Sequence, residues 1–442
     1  MSRICVIGAG YVGLVSAACL AKLGHQVVCV EADAEKVRAI QQVHLPIKEP
    51  YLESLWERFQ RLGQISITSS YADALHGAEF VFLCVGTPPN GDGSADLSHV
   101  LVAARSIADS LQEGQRPVVV VKSTVPVGTG DRLHSLFQDL LPPAGLAVVS
   151  NPEFLREGQG VNDFLHPDRI VIGAREAAAA QAVAGLFVQI SAPVIHCDSR
   201  TAELIKYTSN AFLATKVSFI NQIAELADAC GVDITTVSRA LGLDHRIGGA
   251  YLQAGLGWGG SCLPKDLAAL VNTADQQGVA NELLVAVQEV NRRQPELLIQ
   301  KLDALIGPLD GVIVVLLGLT FKPACDDLRE SPALRLARAL AAEGCEVRAY
   351  DPAVSGAIEA APWIALCRDP YTPAIGADVI ILATAWDEFQ LLDFRRLRGL
   401  MRGDLLVDGR NALDPEAVTS AGLTYMGIGR PRALPRVAGV AL

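Results

Sequence analysis

The sequence predicts an α/β protein in which two doubly wound sheets are joined by a helical middle region. Three observations predict it. Apolar runs of strand length alternate with helical segments through residues 1–200; a proline-free stretch with helical apolar spacing opens at Thr201; and a second strand–helix alternation begins at GVIVVLLGL.

RICVIGAG reads as a buried strand, GYVGLVSAACLAKLG as a helix closed by Gly24, and HQVVCVEAD as a second strand. AEFVFLCVGTP, PVVVVKSTVPVG and AVVSNPEF are further apolar runs that end in turn residues. Alternation of this kind gives a parallel sheet with helices on both faces. TAELIKYTSNAFLATKVSFINQIAELADACG has no proline, and its only glycine is the closing Gly231. Leu204, Phe212, Val217, Ile220, Ile223 and Leu226 recur there at helical spacing, so one long helix is expected, opening a helical region that runs to about residue 300. GVIVVLLGL, CEVRAYDP, ADVIILATA and DLLVDGRN are the strands of the second α/β unit, with SPALRLARALAAEG a helix among them. The boundaries expected are 1–200 and 301–430 for the two α/β domains, 201–300 for the helical region, and 431–442 for a flexible tail. Arg430, Arg432 and Arg436 form a basic cluster at that end.

Composition narrows the function classes. The chain has 442 residues, half of them apolar and 19% charged, as in globular proteins and unlike disordered ones. Its net charge of −11 argues against a nucleic-acid partner. Ten cysteines are scattered without CxxC pairs, which suits a reducing cytoplasm, and the eight histidines form no ligand pattern with them, so no metal site is expected. Residues 4–21 are uncharged and follow Arg3, as a signal peptide would, but their glycine spacing has a better use; no other stretch approaches a membrane span.

That use is GAGYVG, Gly8 to Gly13, lying between the first strand and the first helix. Gly8 permits the tight turn, Gly10 lets a pyrophosphate approach the backbone, and Gly13 lets the helix pack on the strand; Tyr11 and Val12 open that helix. Glu31, at the end of the second strand, is placed to accept hydrogen bonds from an adenosine ribose and to repel a 2′-phosphate, which favours NAD over NADP. Lys36 is a further candidate cofactor contact. The first domain therefore reads as a Rossmann-type NAD-binding domain. The second lacks such a glycine set, since its Gly318 stands in a GLTFKP turn.

GWGGSCLPKD, residues 257–266, adds a nucleophile. Cys262 has no apolar periodicity around it, and Gly259 and Gly260 before it would let substrate come close. A thiol beside a dinucleotide site attacks an aldehyde to give a thiohemiacetal, which then loses a second hydride and becomes a thioester. The expectation is an enzyme that oxidises an alcohol through the aldehyde to an acid.

With these residues in hand, the chain resembles the UDP-glucose/GDP-mannose dehydrogenase family from residue 1 to about 430. The motifs run in matching order: GAGYVG, VGTP at 85–88, KSTVPVG at 122–128, NPEFLREG at 151–158, AELIKYTSNAFLA, GWGGSCLPKD, and FKPACDDLRES at 321–331. The resemblance implies two successive NAD-dependent oxidations that turn a sugar C6 hydroxyl into a carboxylate. It makes Cys262 the nucleophile, with Lys206 and Asp266 assisting proton handling, oxyanion stabilisation and the water that releases the thioester. Lys206 and Asn210 are four apart, as helix neighbours are, and Asn210 would donate to the developing oxyanion without a charge change. Thr124 and Glu153 are read as the pair that positions the water or acts as general base. Gly86, Thr87, Thr124, Glu157, Lys265 and Arg329 join the expected NAD contacts.

For the nucleotide sugar, the resemblance points to Glu153, Phe154, Leu155, Arg156 and Glu157, to Lys206 and Asn210, and to Tyr251, Leu252, Gly255 and Gly259. Lys322 and Arg410 would lie near the diphosphate and sugar, where a cation offsets about two buried negative charges. Glu203, on the same helix as Lys206, is read as a solvated residue. Glu31 departs from the family's commoner aspartate. Arg246, with Ile247 and Gly248, is like the UDP-glucose members rather than those using GDP-mannose or a UDP-N-acetylhexosamine; a sensor that binds but does not react is disfavoured by the full catalytic set. The family also implies a homodimer through the long helix.

Overall fold

The computed structural model describes residues 1–359 and 361–435; Arg436 and the remainder of the expected tail lie outside the described residues. Contacts divide the chain into two units, Met1–Ser209 with Ala268–Val279, and Asn210–Leu267 with the residues from Ala280 onward. The helical region expected over 201–300 is thus shared out between them.

The first unit holds eight strands: β1 (Arg3–Ile7), β2 (Gln26–Val30), β3 (Ile65–Thr68), β4 (Phe80–Leu83), β5 (Val118–Val121), β6 (Val148–Ser150), β7 (Ile170–Ala174) and β8 (Val194–Cys197). They lie in the order β3-β2-β1-β4-β5-β6-β7-β8. The order reverses beside β1, so the loop after β1 opens at the switch point where such sheets bind ligands. Runs such as Val118–Val121 and Phe80–Leu83 are apolar throughout because helices cover both faces of the sheet. The expectation of a wholly parallel sheet needs one correction. β7 runs antiparallel to β6, and Val149 and Ser150 pair with Ala174 and Gly173. A six-residue helix, Gly160–Leu165, lies in the connection between them, residues 151–169.

Helix Tyr11–Lys22 is buried along nearly its whole length and ends at Gly24, φ +89°, with His25 N–H donating to Leu20 O. The long helix, Ser199–Cys230, ends in the same way at Gly231, φ +66°, with Val232 N–H donating to Ala227 O. In both, glycine takes the left-handed position that lets the last carbonyls find donors.

The second unit carries β9 (Ile313–Leu317), β10 (Glu346–Tyr350), β11 (Ala365–Leu366), β12 (Val379–Leu382), β13 (Leu405–Asp408) and β14 (Thr424–Gly427), all parallel, ordered β11-β10-β9-β12-β13-β14. Its core joins this sheet to Ile220 and Ala224 of the long helix and to Leu252, Ala254 and Leu256. Ala433 exchanges backbone hydrogen bonds with Tyr425, so pairing continues into the segment 431–435.

Candidate active site

In the first unit the glycine turn after β1 divides its labour. A Cβ on Gly13 would collide with the carbonyl oxygen of Gly8, and one on Gly8, φ +99°, would come within 2.8 Å of Cys84 O. These two glycines are required by packing. A Cβ on Gly10 would meet nothing within 4 Å, so packing leaves open space beside it. Glu31 accepts from the N–H groups of Ala32 and Asp33 on one oxygen and from Lys36 Nζ, at 2.8 Å, on the other. A carboxylate offers about four acceptor sites, so one remains beyond these three. Burial alone would raise this carboxyl, but the hydrogen bond and charge of Lys36 and the Asp33 and Ala32 N–H groups together outweigh it, holding Glu31 below its ordinary value. Lys36 is therefore the partner of Glu31. Gly86 is open to solvent, and Thr87 Oγ1 donates to Thr124 O at 2.8 Å, tying two expected cofactor loops together.

Glu49, which carries no sequence signal, organises the loop after β6. It accepts from Tyr11 Oη, from Gly158 N and from Val161 N, while Tyr11 Oη also reaches Arg156 O. Arg156 pairs its guanidinium with Asp163 at 2.7 Å.

The centre of this unit is an ion pair. Lys206 Nζ lies 2.9 Å from Glu153 Oε1, and Glu153 Oε2 accepts from Leu155 N at 2.6 Å. Burial would raise Glu153, but the charge and hydrogen bond of Lys206 hold it below the usual carboxylate range. The Phe154 ring lies under Arg169 at 4.0 Å and Lys206 at 5.5 Å. Lys122, also unassigned by sequence, is buried with its ammonium on Asn151 Oδ1, and burial brings it down to about 8. Glu203 corrects an expectation: it is 3% exposed rather than solvated. Its surface reading failed because helical spacing identifies a face without saying what covers it. Burial pushes its carboxyl up to about 7 against the opposing pull of the Gly130 and Gly128 N–H groups.

In the second unit Cys262 is exposed and immediately precedes helix Leu263–Gln276. The amino end of a helix carries partial positive charge, which favours an anion there. Cys262 O accepts from Asp266 N at 2.9 Å, and Ser261 Oγ lies 3.6 Å from Cys262 Sγ. Asp266 is buried; Asn210 Nδ2 donates to its Oδ2 at 2.6 Å, and Lys265 Nζ pairs with its Oδ1. Asn210, Lys265 and Asp266 are thus brought together one turn from the thiol's own residue.

At the glycines before Cys262 it is protein that comes close. A Cβ on Gly259 would collide with Glu330 O, and one on Gly260, φ +83°, would lie 2.7 Å from the Phe321 ring. Their missing side chains are filled by protein, which fixes the loop. Trp258 anchors it further, with Nε1 on Ser218 Oγ and its backbone held by both ends of the Asn291 amide.

The remaining expected contacts are scattered over this unit. Tyr251 has φ +63°, a left-handed conformation costly for a bulky residue and frequent at functional sites. Leu252 is buried in the core, and Gly255 N–H is taken by Asn221 Oδ1. Lys322 lies over Phe321. Arg410 donates to Ala383 O and Gly257 O, while its buried Nη2 has no hydrogen-bond partner among the described residues. Burial, with Arg335 nearby, lowers it to about 10. Arg246 and Arg329 hold Asp244 and Asp327 in two-point pairs at largely exposed positions. Among the described residues no helix is long and apolar enough to cross a membrane.

A phosphate-ready turn at the switch point of one sheet, and a thiol with a buried acid in the unit that carries the other, define an NAD-dependent oxidoreductase. Residues 2–191, 200–293 and 315–415 match the NAD binding, central and UDP binding domains of the UDP-glucose/GDP-mannose dehydrogenase family, and the chain belongs to that family. It is 46% identical to a UDP-glucose 6-dehydrogenase of Pseudomonas aeruginosa, covering 98% of each chain. It is 44% identical to one of Rhizobium meliloti, over 97% of this chain and all of that one. Among solved structures it resembles a UDP-glucose dehydrogenase of Pyrobaculum islandicum, with TM-score 0.90 and 38% identity over 97% of this chain and 98% of that one.

Proposed function

We propose that this protein oxidises UDP-glucose to UDP-glucuronate in two steps on one thiol, each consuming one NAD. The observation that carries the reading is Cys262, exposed at the head of a helix whose first turn holds the buried Asp266. NAD, held by the Gly8–Gly13 turn and Glu31, supplies the hydride acceptor for both oxidations.

The chain's own residues manage protons and position. In the first oxidation the C6 hydroxyl gives up its proton through a water to the Glu153 carboxylate, which passes it on to solvent, as C6 loses hydride, and the Lys206 ammonium offsets the developing charge on oxygen. Cys262 Sγ then adds to the aldehyde carbon, its proton passing to the new oxygen, and the thiohemiacetal forms. Loss of the second hydride from that carbon, with the hydroxyl proton going to Glu153 and on to solvent, leaves a thioester on Cys262. Water activated by Glu153 attacks the thioester carbon, the C–S bond breaks, and the thiol returns with a carboxylate product. Asp266, fixed by Asn210 and Lys265, orients the group that receives protons during these transfers. Thr124 positions the water.

Arg410 supports recognition of the nucleotide sugar, since its buried guanidinium has donors in excess of its protein acceptors. Leu204, Phe212, Phe219 and Leu226 are exposed along one face of the long helix, which supports a homodimer joined through it. Among the described residues no disulfide joins any two cysteines, in keeping with a reducing, cytoplasmic setting.

The test is stoichiometry. About two NADH per UDP-glucose are expected, with GDP-mannose and UDP-N-acetylmannosamine as poor substrates; one NADH, or none, rejects the mechanism. Cys262→Ser should retain covalently attached sugar, seen as added mass on the intact protein, because an ester leaves less readily than a thioester. Full turnover by that variant removes the thiol from the reaction.

A further inference from the structure

Glu203 stands three residues before Lys206 on helix Ser199–Cys230, and its carboxylate gathers three donors. It accepts from Gly128 N at 2.6 Å, Gly130 N at 2.7 Å and Ser150 Oγ at 3.2 Å. The partners belong to two segments. Gly128 and Gly130 lie where the KSTVPVG turn enters helix Thr129–Leu140, four to six residues after Thr124. Ser150 ends β6, three residues before Glu153.

The first N–H groups of a helix have no acceptor within it and are commonly satisfied by the side chain at its amino-terminal cap. Here the cap residue is Gly128, at φ +95°, which has no side chain to offer. Glu203 supplies that acceptor from a different helix. The absence of a side chain at Gly130 makes room for it, since a Cβ there would lie 3.0 Å from Glu203 Oε1 and 3.0 Å from Ser199 Cβ. Thr124, Ser150, Glu203 and Lys206 line one small cavity.

We infer that Glu203 is a positioning residue: it clamps the Thr124 turn and the end of β6 to the helical turn that bears Lys206, so that Thr124, Glu153 and Lys206 keep one geometry. The inference rests on the roles proposed above for those three residues. A packing carboxylate would need none of these partners in common; this one joins all three segments that supply them.

Three full-length variants test it. Glu203→Gln keeps the shape but turns one acceptor into a donor facing an N–H. Glu203→Asp keeps the charge but shortens the reach. Gly130→Ala crowds the clamp from the opposite side, and carries the test if Glu203→Gln does not fold. The readouts are NADH formation from UDP-glucose and hydrogen exchange at the Gly128 and Gly130 amides. Glu203→Gln should lower kcat by about 10- to 100-fold, the scale of a displacement near 1 Å. KM for NAD should move by no more than about twofold, a few tenths of a kcal/mol. The two amides should exchange about tenfold faster, and Glu203→Asp should recover part of kcat.

Unchanged exchange overturns the clamp. Faster exchange with undiminished kcat overturns the positioning role. Should the wild-type protein form no NADH from UDP-glucose, the functional reading fails, and with it the positioning role; the exchange comparison then decides the clamp alone.

Discussion

Glu153 and Lys206 form an ion pair at 2.9 Å with side chains only 6% and 4% exposed. A charge so placed is stable only beside its partner. Removing one member leaves the other desolvated and uncompensated, which costs about 3–5 kcal/mol. Lys206→Met should therefore lose both activity and that much stability in denaturant unfolding. Adding Glu153→Gln should restore about half of the stability and none of the activity. A double mutant less stable than Lys206→Met would show that the pair is not what holds these residues. Because Glu153 is held below its ordinary value, its contribution is present above about pH 4.5 and is lost as pH falls further.

Gly10 and Gly13 should separate folding from cofactor binding. Gly13→Ala drives a Cβ into the Gly8 carbonyl and should lower the melting temperature together with NAD affinity. Gly10→Ala meets no protein atom and should leave melting unchanged while weakening NAD by at least about tenfold, or 1.4 kcal/mol. Equal NAD affinity in Gly10→Ala and wild type would remove this turn from the cofactor site. Thermal unfolding and an NAD titration measure both.

Glu203 should leave a signature in the pH dependence of stability. Its carboxyl titrates at about 7 in the folded protein against an ordinary value of 4.5. The folded state thus binds the proton more tightly, and stability falls as pH rises from 4.5 to 7. The charged neighbours are Asp131 on the facing helix, which opposes ionisation, and Arg200 and Lys206 on its own helix. Glu203→Gln removes this slope, so its stability relative to wild type should improve by about 2 kcal/mol across that window, even as catalysis suffers. Parallel pH profiles for the two proteins would contradict the assignment.

The exposed phenyl rings of the long helix should report on assembly. Phe212→Glu with Phe219→Glu places charge at positions 65% and 51% exposed, so the folded chain should tolerate both. In light scattering the double variant should have about half the mass of wild type, since a buried charge without a partner disfavours an interface. Equal masses would dismiss the helix as the dimer contact.

Much of the fold was legible because the features that specify it are local. Strand runs buried on both faces, the glycine turn, and helices closed by Gly24 and Gly231 each carry their signal within a few residues. Short pieces such as β3 and β11 were not legible, nor was the reversed β7, because strand direction depends on what the strand pairs with. The candidate residues Cys262, Asp266, Lys206 and Glu153 each stand in a motif that can be read from the sequence. Glu49 and Lys122 gave no signal, since neither stands in a pattern that chemistry alone would demand.

The sequence by itself determined the chemistry available: a phosphate-binding turn, a thiol, and acids and amines in a recognisable order. Tertiary structure alone decided which of them are buried and which partners they keep. Glu203 was readable as a helix residue but not as a clamp, and Gly259 as a flexible residue but not as one pressed against Glu330. The physical reason is that burial and ion pairing are set by segments far apart in the chain, and desolvation by those segments changes what a charged group costs and does.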